Sequence, residues 1–150
     1  MSKLKKLGIL TAFVLCILIA VMLCLWCWGQ QPVPLGERLP ESTWIGIEVE
    51  QMRPMESEDI KFDQVPMEDV LKQLQILRVS HSKEARLPAE PHFRITLYKA
   101  DAWPAVLYIT SEGQVQLCSD MQLGTWEYYE GAEPLYVYLS NLSQTLPVVQ

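Results

Sequence analysis

Two histidines, His81 and His92, stand eleven residues apart with Glu84 and Glu90 in the segment between them. Imidazole and carboxylate together are zinc ligands, but a zinc site needs three or four donors at tight spacing. Here the spacing is loose and crosses Pro88 and Pro91, so both histidines are expected in a solvated loop. The acidic groups Glu48 with Glu50, and Glu56 with Glu58 and Asp59, are the residue type of general acid–base work. Their plainest reading is a solvent-facing strand edge and a polar loop. No acidic spacing matches a calcium loop. No serine lies in a G-x-S-x-G turn. The seven glycines fall singly, which excludes a phosphate-cradling loop. Cys24 and Cys27 have C-x-x-C spacing, yet they lie at the end of an apolar run with Cys16, where redox or zinc chemistry is not expected. Cys118 is the fourth cysteine and reads as a small core residue. Asn141-Leu142-Ser143 fits the glycosylation acceptor pattern but falls in an expected helix. The expectation is therefore no catalytic residue, no cofactor and no metal.

The aromatic residues are the most distinctive group. Trp126, Tyr128, Tyr129, Tyr136 and Tyr138 crowd near the C-terminus, with Trp103 and Tyr108 upstream. Tyr and Trp bury large areas in cores and also dominate binding hot spots. Trp103, Tyr108, Trp126, Tyr128, Tyr129 and Tyr136 are taken as the expected interaction surface.

The elements that must position these residues follow from the charge and hydropathy pattern. Lys3, Lys5 and Lys6 precede an uncharged run, LGILTAFVLCILIAVMLCLWCW, from Leu7 to Trp28. About 20 apolar residues at ~1.5 Å each cross a bilayer core, and only a helix satisfies the backbone there. The run is too long for a secretory h-region of about 7–15 residues and no small-residue cleavage site follows it. Trp26 and Trp28 mark an interface, and the lysines ahead of the run place the N-terminus in the cytoplasm. The expected layout is a basic cytoplasmic tail (1–6), a signal-anchor helix (7–28), a Pro-rich linker (29–41) and an extracytoplasmic domain (42–150). From Leu35 onward nine Lys or Arg face all eighteen Asp or Glu, a balance that excludes a phosphate-backbone partner and so nucleic acid.

Within the domain, Thr43–Met52 alternates apolar and acidic residues and predicts a strand. Pro66–Arg78 places Met67, Val70, Leu71, Leu74 and Leu77 on one helical face. His92–Tyr98, Ala105–Thr110, Val115–Cys118 and Thr125–Tyr129 predict a run of strands, the middle pair joined by a Ser111–Gln114 hairpin loop. Glu133–Leu146 has helical spacing, although Leu135–Tyr138 also reads as a strand. The fold class is α+β: an antiparallel sheet of about four to five strands with two helices packed on one face.

The Lys-rich start and apolar segment (3–28), the strands around Ile95 and Leu107, the Ser111-Glu112-Gly113-Gln114 turn, and Trp126-Glu127-Tyr128-Tyr129 ahead of Leu135–Leu142 give the chain its profile. It resembles small membrane- or lipid-anchored extracytoplasmic proteins of unknown function from Gram-positive, Clostridia-type bacteria. That resemblance implies a surface α+β domain and assigns no residue a role. The lipoprotein cysteine that many such proteins carry has no counterpart here. The functional expectation is a noncatalytic domain that binds a protein or an envelope component. The alternative is an accessory or sensory subunit acting through its membrane helix, where Ala12, Cys16, Ala20, Cys24 and Cys27 are small enough for close helix approach. A hydrolase with an unrecognised site is the remaining reading.

Overall fold

The apolar run forms one uninterrupted helix, α1 (Lys3–Gly29). Its segment Gly8–Gly29 is long and apolar enough to cross a membrane. The computed structural model describes residues 3–83 and 90–149. Glu84 and Pro88, in the segment expected to be a solvated loop, lie outside the described residues. Residues up to Gln31 make one compact unit and Pro32 onward make a second.

The second unit is α+β. Its strands are β1 (Val33–Pro34), β2 (Trp44–Met52), β3 (Ile60–Lys61), β4 (Arg78–His81), β5 (His92–Lys99), β6 (Ala105–Ile109), β7 (Val115–Cys118) and β8 (Glu127–Glu130). Two helices, α2 (Met67–Ile76) and α3 (Glu133–Ser143), accompany them. The described strands form one antiparallel sheet in the order β1-β4-β8-β7-β6-β5-β2-β3.

Among the described residues eight strands replace the expected four to five. β1 and β3 hold two residues each, too few to show a period. β4 begins where the helical spacing was expected to continue. Leu77 keeps that spacing, but its backbone is already extended (φ −71°, ψ 126°), so the helix stops at Ile76 and Arg78 starts a strand. The helix inventory also grows. Leu35–Arg38 forms a single 3-10 turn inside the segment expected to be linker.

That turn is stitched into the domain. Leu35 is fully buried, and its N–H donates to the Leu77 carbonyl at 2.8 Å. Arg78 Nη2 donates to the Pro32 carbonyl at 2.8 Å, and Arg38 Nη2 lies 3.4 Å from His81 Nε2. Three residues, Gln30, Gln31 and Pro32, separate α1 from β1 in the chain.

The core lies on one face of the sheet, as the period of two requires. Val49, Phe93, Ile95, Leu97, Leu107, Ile109, Val115 and Leu117 cluster there with Val70 and Leu74 of α2 and Leu135 and Leu139 of α3. α2 opens on Pro66 and carries Glu68 and Asp69 in its first turn, which suits the positive end of the helix. The β6–β7 hairpin turns through Gly113, whose φ of +77° lies in the left-handed region that favours glycine.

Candidate interaction face

The other face of the sheet is built by register. Lys61 pairs with Glu50, Glu50 with Arg94, Arg94 with Tyr108, Tyr108 with Gln116, and Gln116 with Tyr128. These six residues form one cross-strand row spanning β3, β2, β5, β6, β7 and β8. Side chains alternate along each strand, so the whole row points away from the core.

The row is electrostatically paired. Arg94 Nε donates to Glu50 Oε2 at 2.6 Å, and Arg94 also bonds to the Tyr108 hydroxyl oxygen. Lys61 Nζ donates to Glu48 Oε1 at 2.6 Å. The bond from Lys61 holds the Glu48 carboxyl below its ordinary range, outweighing the opposing effect of burial. Tyr98, one residue pair along, is raised by burial and by its bond to Glu48. The next row inward, Thr96, Val106 and Cys118, is buried among these longer side chains.

Aromatic rings continue the surface. Tyr108 meets Trp126 with ring centroids 5.8 Å apart, and His92 lies 6.0 Å from Tyr108. Tyr108, Trp126 and Tyr128 are half-buried, leaving ring edges and faces accessible. The six aromatic residues expected to form an interaction surface are thus distributed in three ways. Tyr108, Trp126 and Tyr128 come together on the outer face. Trp103 is exposed in the β5–β6 loop. Tyr129 is fully buried in the core, and Tyr136 packs its ring 5.3 Å from Phe93 on the core side. Parity separates Tyr128 from Tyr129, and it becomes fixed only once β8 is registered on β7. Glu48, Glu50, Lys61 and Arg94 belong to this face as well, although sequence spacing gave them no common place.

The histidines are not brought together. β4 and β5 are separated in the sheet by β8, β7 and β6. His81 stacks on Tyr129 at 4.8 Å, while His92 is buried with Nδ1 3.1 Å from the Glu90 carbonyl. Among the described residues no three His, Cys, Asp or Glu gather as a metal set.

Tyr129 gives a measurable consequence. Its hydroxyl donates to Glu127 Oε2 at 3.0 Å. Burial first, and this acceptor second, push the phenol up to about 12. The fold therefore keeps a proton that the unfolded chain loses above about pH 10, so stability falls as pH rises through that window. The slope attributable to this residue is at most about 1.4 kcal/mol per pH unit. Denaturant unfolding at pH 9, 10 and 11 should show a shallower decline for Tyr129→Phe than for the parent. The remaining slope belongs in part to Tyr98 and Tyr138, both raised by burial. Parallel declines in the two proteins would mean that the Tyr129 phenol is not held neutral by the fold.

No protein-family model, curated protein or solved structure matches the chain.

Proposed function

We propose that the chain is a single-pass membrane protein whose second unit acts outside the cytoplasm as a noncatalytic binding domain, with the helix-free face of the sheet as its contact surface. The observation that carries this reading is the cross-strand row of paired charges running into the Tyr108–Trp126–Tyr128 group. Aromatic rings and Arg, ringed by satisfied polar groups, are the chemistry of a protein-binding hot spot. The partner is a protein or a component of the cell envelope. The excess of acidic over basic residues in this part of the chain disfavours nucleic acid. The lysines ahead of the apolar run support a cytoplasmic N-terminus, and the Gly8–Gly29 segment of α1 supplies the membrane attachment.

In-cell cross-linking tests this reading. The full-length chain is compared with residues 30–150 carried on a foreign membrane anchor. Partners should be captured by both proteins. Tyr108→Ala and Trp126→Ala should each reduce capture at least tenfold, while Val137→Ala, on the outward side of α3, should leave it unchanged. Equal capture by all three variants would remove the sheet face from consideration.

A second reading has its own observation. On α1, Ile17, Ala20, Val21, Cys24, Leu25 and Trp28 line a shallow apolar groove of about 340 Å³. Small residues at such a groove let a second helix approach closely. Capture by the native helix alone, lost with the foreign anchor, would favour an accessory subunit that works through α1.

A further inference from the structure

Of the nine exposed large apolar side chains described in the second unit, four form a group by strand register. Ile45, Trp103, Met121 and Leu123 are 60%, 57%, 38% and 76% exposed. All four lie at one end of the sheet. Ile45 is at the start of β2, Trp103 is in the loop from β5 to β6, and Met121 and Leu123 are in the loop from β7 to β8. The register fixes this common end, because β5 and β7 run into it while β2, β6 and β8 run out of it.

Strand polarity also fixes the direction of β1 with respect to this end. β4 runs toward it, with Ser80 opposite Glu130 and then His81 opposite Tyr129. β1 is antiparallel to β4, with Val33 opposite Val79 and then Pro34 opposite Arg78. β1, the first strand of the second unit, therefore runs away from the Trp103–Leu123 end.

The β7–β8 loop is braced in a way that holds its apolar residues outward. The Asp120 carbonyl accepts from the N–H groups of Leu123 (3.1 Å) and Gly124 (3.3 Å), and Asp120 Oδ1 accepts from the Gln122 N–H at 2.8 Å. The Met121 N–H donates to the Pro104 carbonyl at 3.2 Å, which ties this loop to the one bearing Trp103. Lys99 Nζ donates to the Ser119 carbonyl at 3.2 Å. A turn with its backbone satisfied internally, and with Leu and Met on its outside, can enter a headgroup layer without stranding polar groups. Indole favours the same layer.

We infer that this end of the domain dips into the interfacial layer of a bilayer, with Trp103 and Leu123 as the inserting residues. Asp101 and Asp120 sit in the same two loops, and Lys99 is engaged with Ser119, so the surface that fits is zwitterionic rather than anionic. The inference rests on the reading of α1 as a membrane span.

The test uses the full chain labelled with 5-fluorotryptophan in phosphatidylcholine nanodiscs. Its five tryptophans give five ¹⁹F resonances, assigned by single Trp→Phe variants. A nitroxide lipid reports contact with the bilayer, and a soluble gadolinium chelate reports contact with water. Trp103 should be broadened by the nitroxide lipid at least half as strongly as Trp26 and Trp28, and should be shielded from gadolinium relative to Trp126. Leu123→Asp should at least halve the nitroxide effect on Trp103. The inference is overturned if Trp26 and Trp28 respond to the lipid probe while Trp103 behaves like Trp126. If Trp26 and Trp28 are also silent to the lipid probe, the reading of α1 fails and this inference fails with it.

Discussion

Leu35→Ala should lower the stability of the second unit by about 3 kcal/mol, near the lower end of the ~2.7–5.0 observed for buried leucines. Leu35 lies only six residues past the end of α1 and follows Pro32 and Pro34, yet it is fully buried in the same cluster as Leu74 and Leu77. Its N–H is used as well, since it donates to the Leu77 carbonyl. The truncation therefore removes core volume under a backbone already fixed by β1 and the 3-10 turn, which limits collapse around the cavity. Exchanging Gln30 and Gln31 for Gly and Ser should leave stability within about 0.5 kcal/mol, because both side chains are exposed. Urea unfolding of the full chain in detergent, followed by near-UV circular dichroism, reads both variants. An unchanged midpoint for Leu35→Ala would detach this segment from the core and restore it as a free spacer.

This segment shows where the sequence was legible and where it was not. β2 and β5 could be read because each has enough residues for a clear alternation, with Ile47 and Val49 against Glu48 and Glu50, and Phe93, Ile95 and Leu97 against Arg94 and Thr96. α2 could be read because Val70 and Leu74 repeat on one helical face. The two-residue strands carry no period of their own. They exist because β4 and β2 offer unpaired edges to whatever chain passes them. The prolines around Leu35 suggested a stiff spacer, and the single leucine among them could not outweigh that signal.

The outer face was legible only in fragments. Glu48 and Glu50 read as a solvent-facing edge, but β2 is flanked by β3 and β5 and its carboxylates meet Lys61 and Arg94. Those partners lie 13 and 44 residues away in the chain, and only strand register brings them opposite one another. The aromatic group was visible as a composition, but its division between the two faces was not. Tyr128 and Tyr129 are neighbours in sequence with opposite destinations, and one residue of slip would exchange them.

Arg94→Met should cost about 2 kcal/mol, and adding Glu50→Gln should return most of it. The reasoning turns on what is left behind. Glu50 retains only 14% side-chain exposure beside Arg94, whose side chain is itself 34% exposed. Removing one partner of a fully buried pair costs about 3–5 kcal/mol, largely because the remaining charge is stranded. Partial exposure of Arg94 reduces that penalty here, since water can reach the vacated position. Methionine replaces most of the arginine stem beside Tyr108, so the loss of packing is small. Adding Glu50→Gln to the Arg94→Met protein removes the stranded charge and should bring stability to within about 1 kcal/mol of the parent. The Arg94→Met protein alone should also lose partner capture, because Tyr108 loses the hydrogen bond that orients its ring against Trp126. In the double variant stability should recover while capture should not, which separates the folding role of the pair from its place on the contact surface. Recovery of both would make Arg94 a purely structural residue, and a single variant as stable as the parent would show that Glu50 is hydrated without it.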